Sequence, residues 1–189
     1  MDKVVTIVSG LPRSGTSLMM KMLQAGGMEL LIDNVRCPDV DNPKGYFEYE
    51  KVKKLKSDNS WITLAQGRAV KIISALLIYL PDEFQYRIIL MQRNMQEILA
   101  SQHKMLEHSH KQPAANDEKM AGLYTRHLQQ VTSWLETKKN ISFCPVSFNT
   151  LLTDPEQELV RLEEFFNGSL QGQVMLKAID QTLYRRKAN

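Results

Sequence analysis

Residues Gly10-Leu-Pro-Arg-Ser-Gly15-Thr16-Ser17 combine the parts of an anion cradle. They follow a β-branched run, Val4–Val8, and lead into Leu18, Met19, Met22 and Leu23 at helical spacing. This is the G-x-x-x-x-G-x-[ST] pattern of a phosphate loop, in the strand–loop–helix setting that the pattern requires. Glycines let the backbone wrap closely, inward N–H groups donate, and the helix N-terminus adds partial positive charge. Gly10, Pro12, Arg13, Ser14, Gly15, Thr16 and Ser17 are therefore the candidate anion-binding residues. The lysine that reaches the outer phosphates of ATP in such loops is replaced by Thr16, and the cation moves to Arg13. A kinase or ATPase without that lysine lacks a main transition-state contact.

A second constellation lies further on. Arg93 closes the apolar run Arg87–Met91, and Ser101 follows on the helical stretch Met95–Glu107. Ser101 is about two helical turns beyond Arg93, so it can return to the same sheet edge. Open α/β sheets bind ligands outside the carboxyl ends of their strands. Two anion sites on one such edge suit a nucleotide phosphorylated at both ends.

These residues carry a family resemblance. Leu11–Ser17 resembles the 5'-phosphosulfate loop of sulfotransferases that use 3'-phosphoadenosine-5'-phosphosulfate (PAPS), and Arg93 with Ser101 is similar to their 3'-phosphate pair. Phe148-Asn-Thr-Leu-Leu-Thr-Asp-Pro155 resembles a segment these enzymes write Tyr-Glu-Asp-Leu, then Asp-Pro, with Asn149 and Thr150 replacing the acidic pair. Arg185-Arg186-Lys187 is similar to their basic 3'-phosphate clasp, which makes Arg186 a candidate contact, although the clasp's glycine is missing. The resemblance implies a sulfotransferase that moves a sulfuryl group from PAPS to an acceptor hydroxyl or amine and leaves 3',5'-adenosine bisphosphate. It implies no metal, with Arg13, Lys71 and helix-end amides carrying the charge.

A general base would remove the acceptor proton. Val70-Lys71-Ile72-Ile73-Ser74 is similar to the Lys-Thr-His-Leu-Pro of cytosolic sulfotransferases; Lys71 is kept, but Ile73 stands at the histidine position. His103, His108 and His110 fall on or just after one helix and His127 on another, so none fills that position well, and His108-Ser-His110, without further metal ligands, reads as a solvated helix end. Glu48, ending the Pro-x-Gly segment Asn42-Pro-Lys-Gly-Tyr-Phe-Glu48, is the first candidate base. Asp33 is the second, with Arg36 as a supporting cation. The alternative reading of Glu48 is a cap on the basic helix Lys51–Lys56.

The elements needed to position these groups are those of an α/β fold. Candidate strands are Val4–Val8, Met28–Ile32, Ala69–Ile73, Arg87–Met91 and Ile141–Val146, the apolar runs of a parallel sheet covered on both faces. Helices are expected before Gly26-Gly27, over Met95–Glu107 with Asn94 and Glu97 as a capping box, over Glu118–Lys138, and after Asp154-Pro155. Polar Gln112–Asp117 reads as an exposed, mobile loop. With 189 residues and 43% hydrophobic content, the expectation is one P-loop domain spanning 1–189, its central parallel sheet flanked by helices.

A net charge of +3 does not argue for nucleic acid. Cys37 and Cys144 have no metal-type spacing, no apolar stretch is long enough for a membrane span, and no leader precedes the first strand, so a cytoplasmic protein is expected. The partners are then the nucleotide and an unidentified small-molecule, carbohydrate or peptide acceptor. Two rival readings share the fold: a binding or regulatory module holding PAPS or its bisphosphate without turnover, and a nucleotide kinase.

Overall fold

Four apolar runs form the sheet in a computed structural model that describes residues 3–33, 35–39, 42, 45–108 and 116–179. The strands are β1 (Val5–Gly10), β2 (Ala69–Lys71), β3 (Tyr86–Gln92) and β4 (Ile141–Ser147). All pairings are parallel, in the order β2-β1-β3-β4. The helices are α1 (Thr16–Ala25), α2 (Met95–His108), α3 (Asp117–Thr137), α4 (Phe148–Thr153), α5 (Pro155–Phe165) and α6 (Gly172–Lys177). Among the described residues, no helix is long and apolar enough to cross a membrane.

The two-residue alternation of a strand divides the core into two clusters, one on each face. Val8, Ile89, Met91 and Val146 pack with Met19, Met22 and Leu23 of α1 and with Phe148, Leu151, Leu159 and Leu162. Val5, Ile7, Ile88 and Leu90 pack on the other face with Trp61, Leu77, Val131 and Leu135. Two 3₁₀ segments, Ser60–Ala65 and Ser74–Tyr79, help α3 cover this second face.

Met28–Ile32 is not a strand of the sheet. Only Leu30 bridges Ala69, through Ala69 N–H to the Glu29 carbonyl (2.8 Å) and Leu31 N–H to the Ala69 carbonyl (2.8 Å). β2 offers just three residues, so the pairing ends after one rung. The expected Gln112–Asp117 loop is also shorter than the sequence suggests at its far end. Asn116 caps α3 by accepting from Lys119 N–H (2.9 Å), and Asp117 is already helical. Residues 112–115, Pro43, Lys44, His110 and Arg185–Lys187, Arg186 included, lie outside the described residues.

The register places the site. β1 pairs with β2 on one side and β3 on the other, so the chain reverses direction across the sheet between β1 and β3. Gly10 is level with Met91. The turns leaving β1 and β3 therefore open side by side, at the crevice where such sheets hold ligands.

Candidate functional site

Leaving β1, the backbone turns through Gly10 (φ 150°), Arg13 (φ 72°) and Gly15 (φ 98°) before α1 begins at Thr16. A side chain at Gly10 would meet Ser14 Oγ at 2.5 Å and the Met91 carbonyl at 2.7 Å; at Gly15 it would meet the Phe148 ring at 2.2 Å. The loop is thus wedged between β3 and the residue that follows β4. Ser14 Oγ is buried inside it with no hydrogen-bond partner. The N–H groups of Thr16 and Ser17 open α1, where a helix leaves its amides without internal acceptors. Glycines with no room for a side chain, an orphaned hydroxyl and helix-end donors fit a phosphate or sulfate group.

Arg93 and Ser101 both reach Arg13. Arg13 Nε donates to Ser101 Oγ (2.9 Å), and Arg93 Nη1 donates to the Arg13 carbonyl (3.0 Å). Arg93 also lies over the Phe148 ring, 4.4 Å from its centroid, and pairs with Glu97 at 2.9 Å. The capping box is therefore only half formed. Asn94 Oδ1 accepts from Gln96 N–H (2.9 Å) and Glu97 N–H (3.3 Å), but the Glu97 carboxylate turns to Arg93 instead.

A second cluster adjoins the loop at Ser17. Lys71 Nζ, carried by β2, donates to Ser17 Oγ (3.3 Å) and to the Tyr46 carbonyl, and stands 3.5 Å from Glu48 Oε1. Burial pushes the Lys71 ammonium down to about 8, with the Glu48 carboxylate opposing that shift. Glu48 Oε1 also pairs with Arg36 (3.0 Å), whose guanidinium lies 3.4 Å from the centre of the Tyr46 ring. The Tyr46 hydroxyl donates to Asp39 (2.7 Å); burial and that acceptor push it up to about 12. Asn42 Nδ2 donates to Ser17 Oγ (2.9 Å), which ties this segment to the loop.

Glu48 does not cap the following turn. Tyr49 precedes the 3₁₀ segment Glu50–Lys54, and its side chain makes no capping hydrogen bond. Asp33 performs the local tethering: its Oδ1 accepts from Val35 N–H (3.2 Å) and its Oδ2 from Glu50 N–H (2.6 Å), while its own N–H donates to the Glu48 carbonyl (2.9 Å).

Over residues 5–187 the chain matches the family described as the sulfotransferase domain. The chain belongs to the sulfotransferase family. Its fold is similar to the sulfotransferase domain of the Synechococcus PCC 7002 olefin synthase, at 14% identity and a TM-score of 0.56, covering 98% of this chain and 84% of that one. The sulfotransferase domain from the curacin biosynthetic pathway aligns at 13% identity and a TM-score of 0.49, covering 95% of this chain and 88% of that one. No curated protein matches the chain.

For a sulfotransferase the layout has consistent parts: a loop that fits an anion, two cations and a serine beside it, and a lysine–carboxylate pair adjoining through Ser17. Sequence reading did not single out Tyr46, Asn42 or Phe148 as parts of this site. Glu97 carried a usable signal, since it lies four residues after Arg93 and such helix-face spacing brings opposite charges together. The Asn42–Glu48 segment was a candidate as a whole, but the contacts that Tyr46 and Asn42 make with Ser17 carried no signal, because only the folded chain brings that segment onto α1. His127, which fills no base position in the sequence, has its Nε2 2.9 Å from the buried Ser74 Oγ, past the end of β2.

Proposed function

We propose that this sulfotransferase uses PAPS and transfers its sulfuryl group to an acceptor hydroxyl or amine. The observation that carries the reading is the meeting of Arg13, Arg93 and Ser101, which supports a site for a nucleotide bearing charge at both ends. In this reading the Gly10–Ser17 loop holds the 5'-phosphosulfate, and Arg93 with Ser101 holds the 3'-phosphate. Arg13 and Lys71 offset charge building on the bridging oxygen as the sulfur–oxygen bond breaks.

Glu48 takes the acceptor proton while the acceptor oxygen or nitrogen attacks sulfur. Its carboxylate adjoins Lys71, whereas both Asp33 oxygens are occupied by backbone N–H groups. Asp33 therefore fixes the segment that presents Glu48. Calorimetry with 3',5'-adenosine bisphosphate against ATP and GTP tests the nucleotide: the bisphosphate should bind far more tightly. Acceptor-dependent release of bisphosphate from PAPS then tests turnover. Tight binding without release, across a broad acceptor screen, would instead identify a binding module.

A further inference from the structure

Glu97 is an unexpected neighbour for a phosphate site. Its carboxylate is buried, with the residue only 3% exposed, and it sits against Arg93. Both oxygens are engaged. Oε2 accepts from Arg93 Nε (2.9 Å) and Oε1 from Asn149 Nδ2 (3.0 Å). Asn149 Oδ1 in turn accepts from Asn94 N–H (3.0 Å), just before α2. This bridge needs a side chain that donates and accepts at once, which an amide does. A carboxylate at 149 would accept only, and would place like charge beside Glu97. The asparagine found where related enzymes carry an acid thus has a physical reason in this chain.

The consequence falls on Arg93. Guanidinium is a rigid planar fork whose donors are fixed relative to one another. Glu97 holds its Nε, the Arg13 carbonyl holds Nη1, and the Phe148 ring lies against its face. We propose that Glu97, itself held by Asn149, is a positioning residue for 3'-phosphate recognition, locking the Arg93 fork in the orientation that receives the phosphate. This inference rests on the PAPS reading above. It also asserts that orientation outweighs the repulsion a buried carboxylate exerts on a nearby phosphate.

The test is calorimetry on the full chain with 3',5'-adenosine bisphosphate and adenosine 5'-phosphate, with thermal melting to verify folding. Wild type should prefer the bisphosphate. Glu97→Gln should lose about tenfold or more of that preference, as Arg93→Ala does, with affinity for adenosine 5'-phosphate unchanged within about twofold. Asn149→Asp serves as the second variant and gives a readout that general loosening would not. Two adjoining carboxyl groups share a proton as pH falls, which restores a donor to the bridge. Its preference, relative to wild type at the same pH, should collapse at pH 8 and recover toward pH 5.5. Unchanged or increased preference in Glu97→Gln, or a pH-independent loss in Asn149→Asp, overturns the positioning role while Arg93→Ala still supports the nucleotide assignment. A wild-type chain with no preference overturns the nucleotide assignment itself, and this inference with it.

Discussion

Lys71 holds its ammonium group in a nearly closed setting, with 9% of the residue exposed. In the unfolded chain it titrates at 10.5, and in the fold at about 8, because burial disfavours the charged form. Between those values the unfolded chain binds more protons, so this group's contribution to stability is present above 10.5 and is lost as pH falls through about 8. Relative to Lys71→Met, wild type should gain up to about 3 kcal/mol between pH 8 and pH 10.5. Urea denaturation of both chains across that window measures it, and a constant difference would show that Lys71 stays charged. Glu48 is tested by activity. Glu48→Gln should lower kcat by about 10²–10⁴ and leave bisphosphate affinity unchanged, since the role proposed for Glu48 is proton removal from the acceptor. If Asp33→Asn abolishes kcat while Glu48→Gln retains it, the two roles must be exchanged. The Lys71–Glu48 pair was only half legible beforehand. Each residue could be nominated from its segment, but their contact joins β2 to a loop that precedes it by a long stretch of chain.

At the scale of elements, the strand–loop–helix around Gly10–Ser17 was readable because its spacing is local and its flanks announce a strand and a helix. The weak edge was not readable. Met28–Ile32 has the composition of a strand, yet strand formation depends on a partner long enough to pair with, and β2 supplies three residues. Phe148 was legible only as a family echo, although it is the piece that closes the loop from the side. That packing gives a sharp test. Gly15→Ala should destabilise the protein by about 2–4 kcal/mol, since a side chain there combines a left-handed backbone with a 2.2 Å approach to the Phe148 ring. In a Phe148→Ala background the cost of adding the methyl should fall to about 1–2 kcal/mol, leaving the backbone strain alone. Equal costs in both backgrounds, by denaturant melts, would mean that the ring yields freely.

For the whole molecule, the sheet separates two bodies of apolar packing. α1 and Phe148, which flank the Gly10–Ser17 loop, rest on one face. The segment carrying Val52, Leu55, Trp61, Ile62 and Ala65, downstream of Glu48, settles on the other. Leu55→Ala, at a residue 2% exposed, should cost about 2–4 kcal/mol. It should also raise the KM for an acceptor while bisphosphate affinity moves less than about twofold. Parallel losses in both affinities would show that the two faces are mechanically joined. If they are not, the arrangement bears on descent as well as on folding. A lineage can accumulate changes beneath the Glu48 segment, the proposed acceptor side, while the proposed nucleotide loop, seated against α1 and Phe148, is inherited intact.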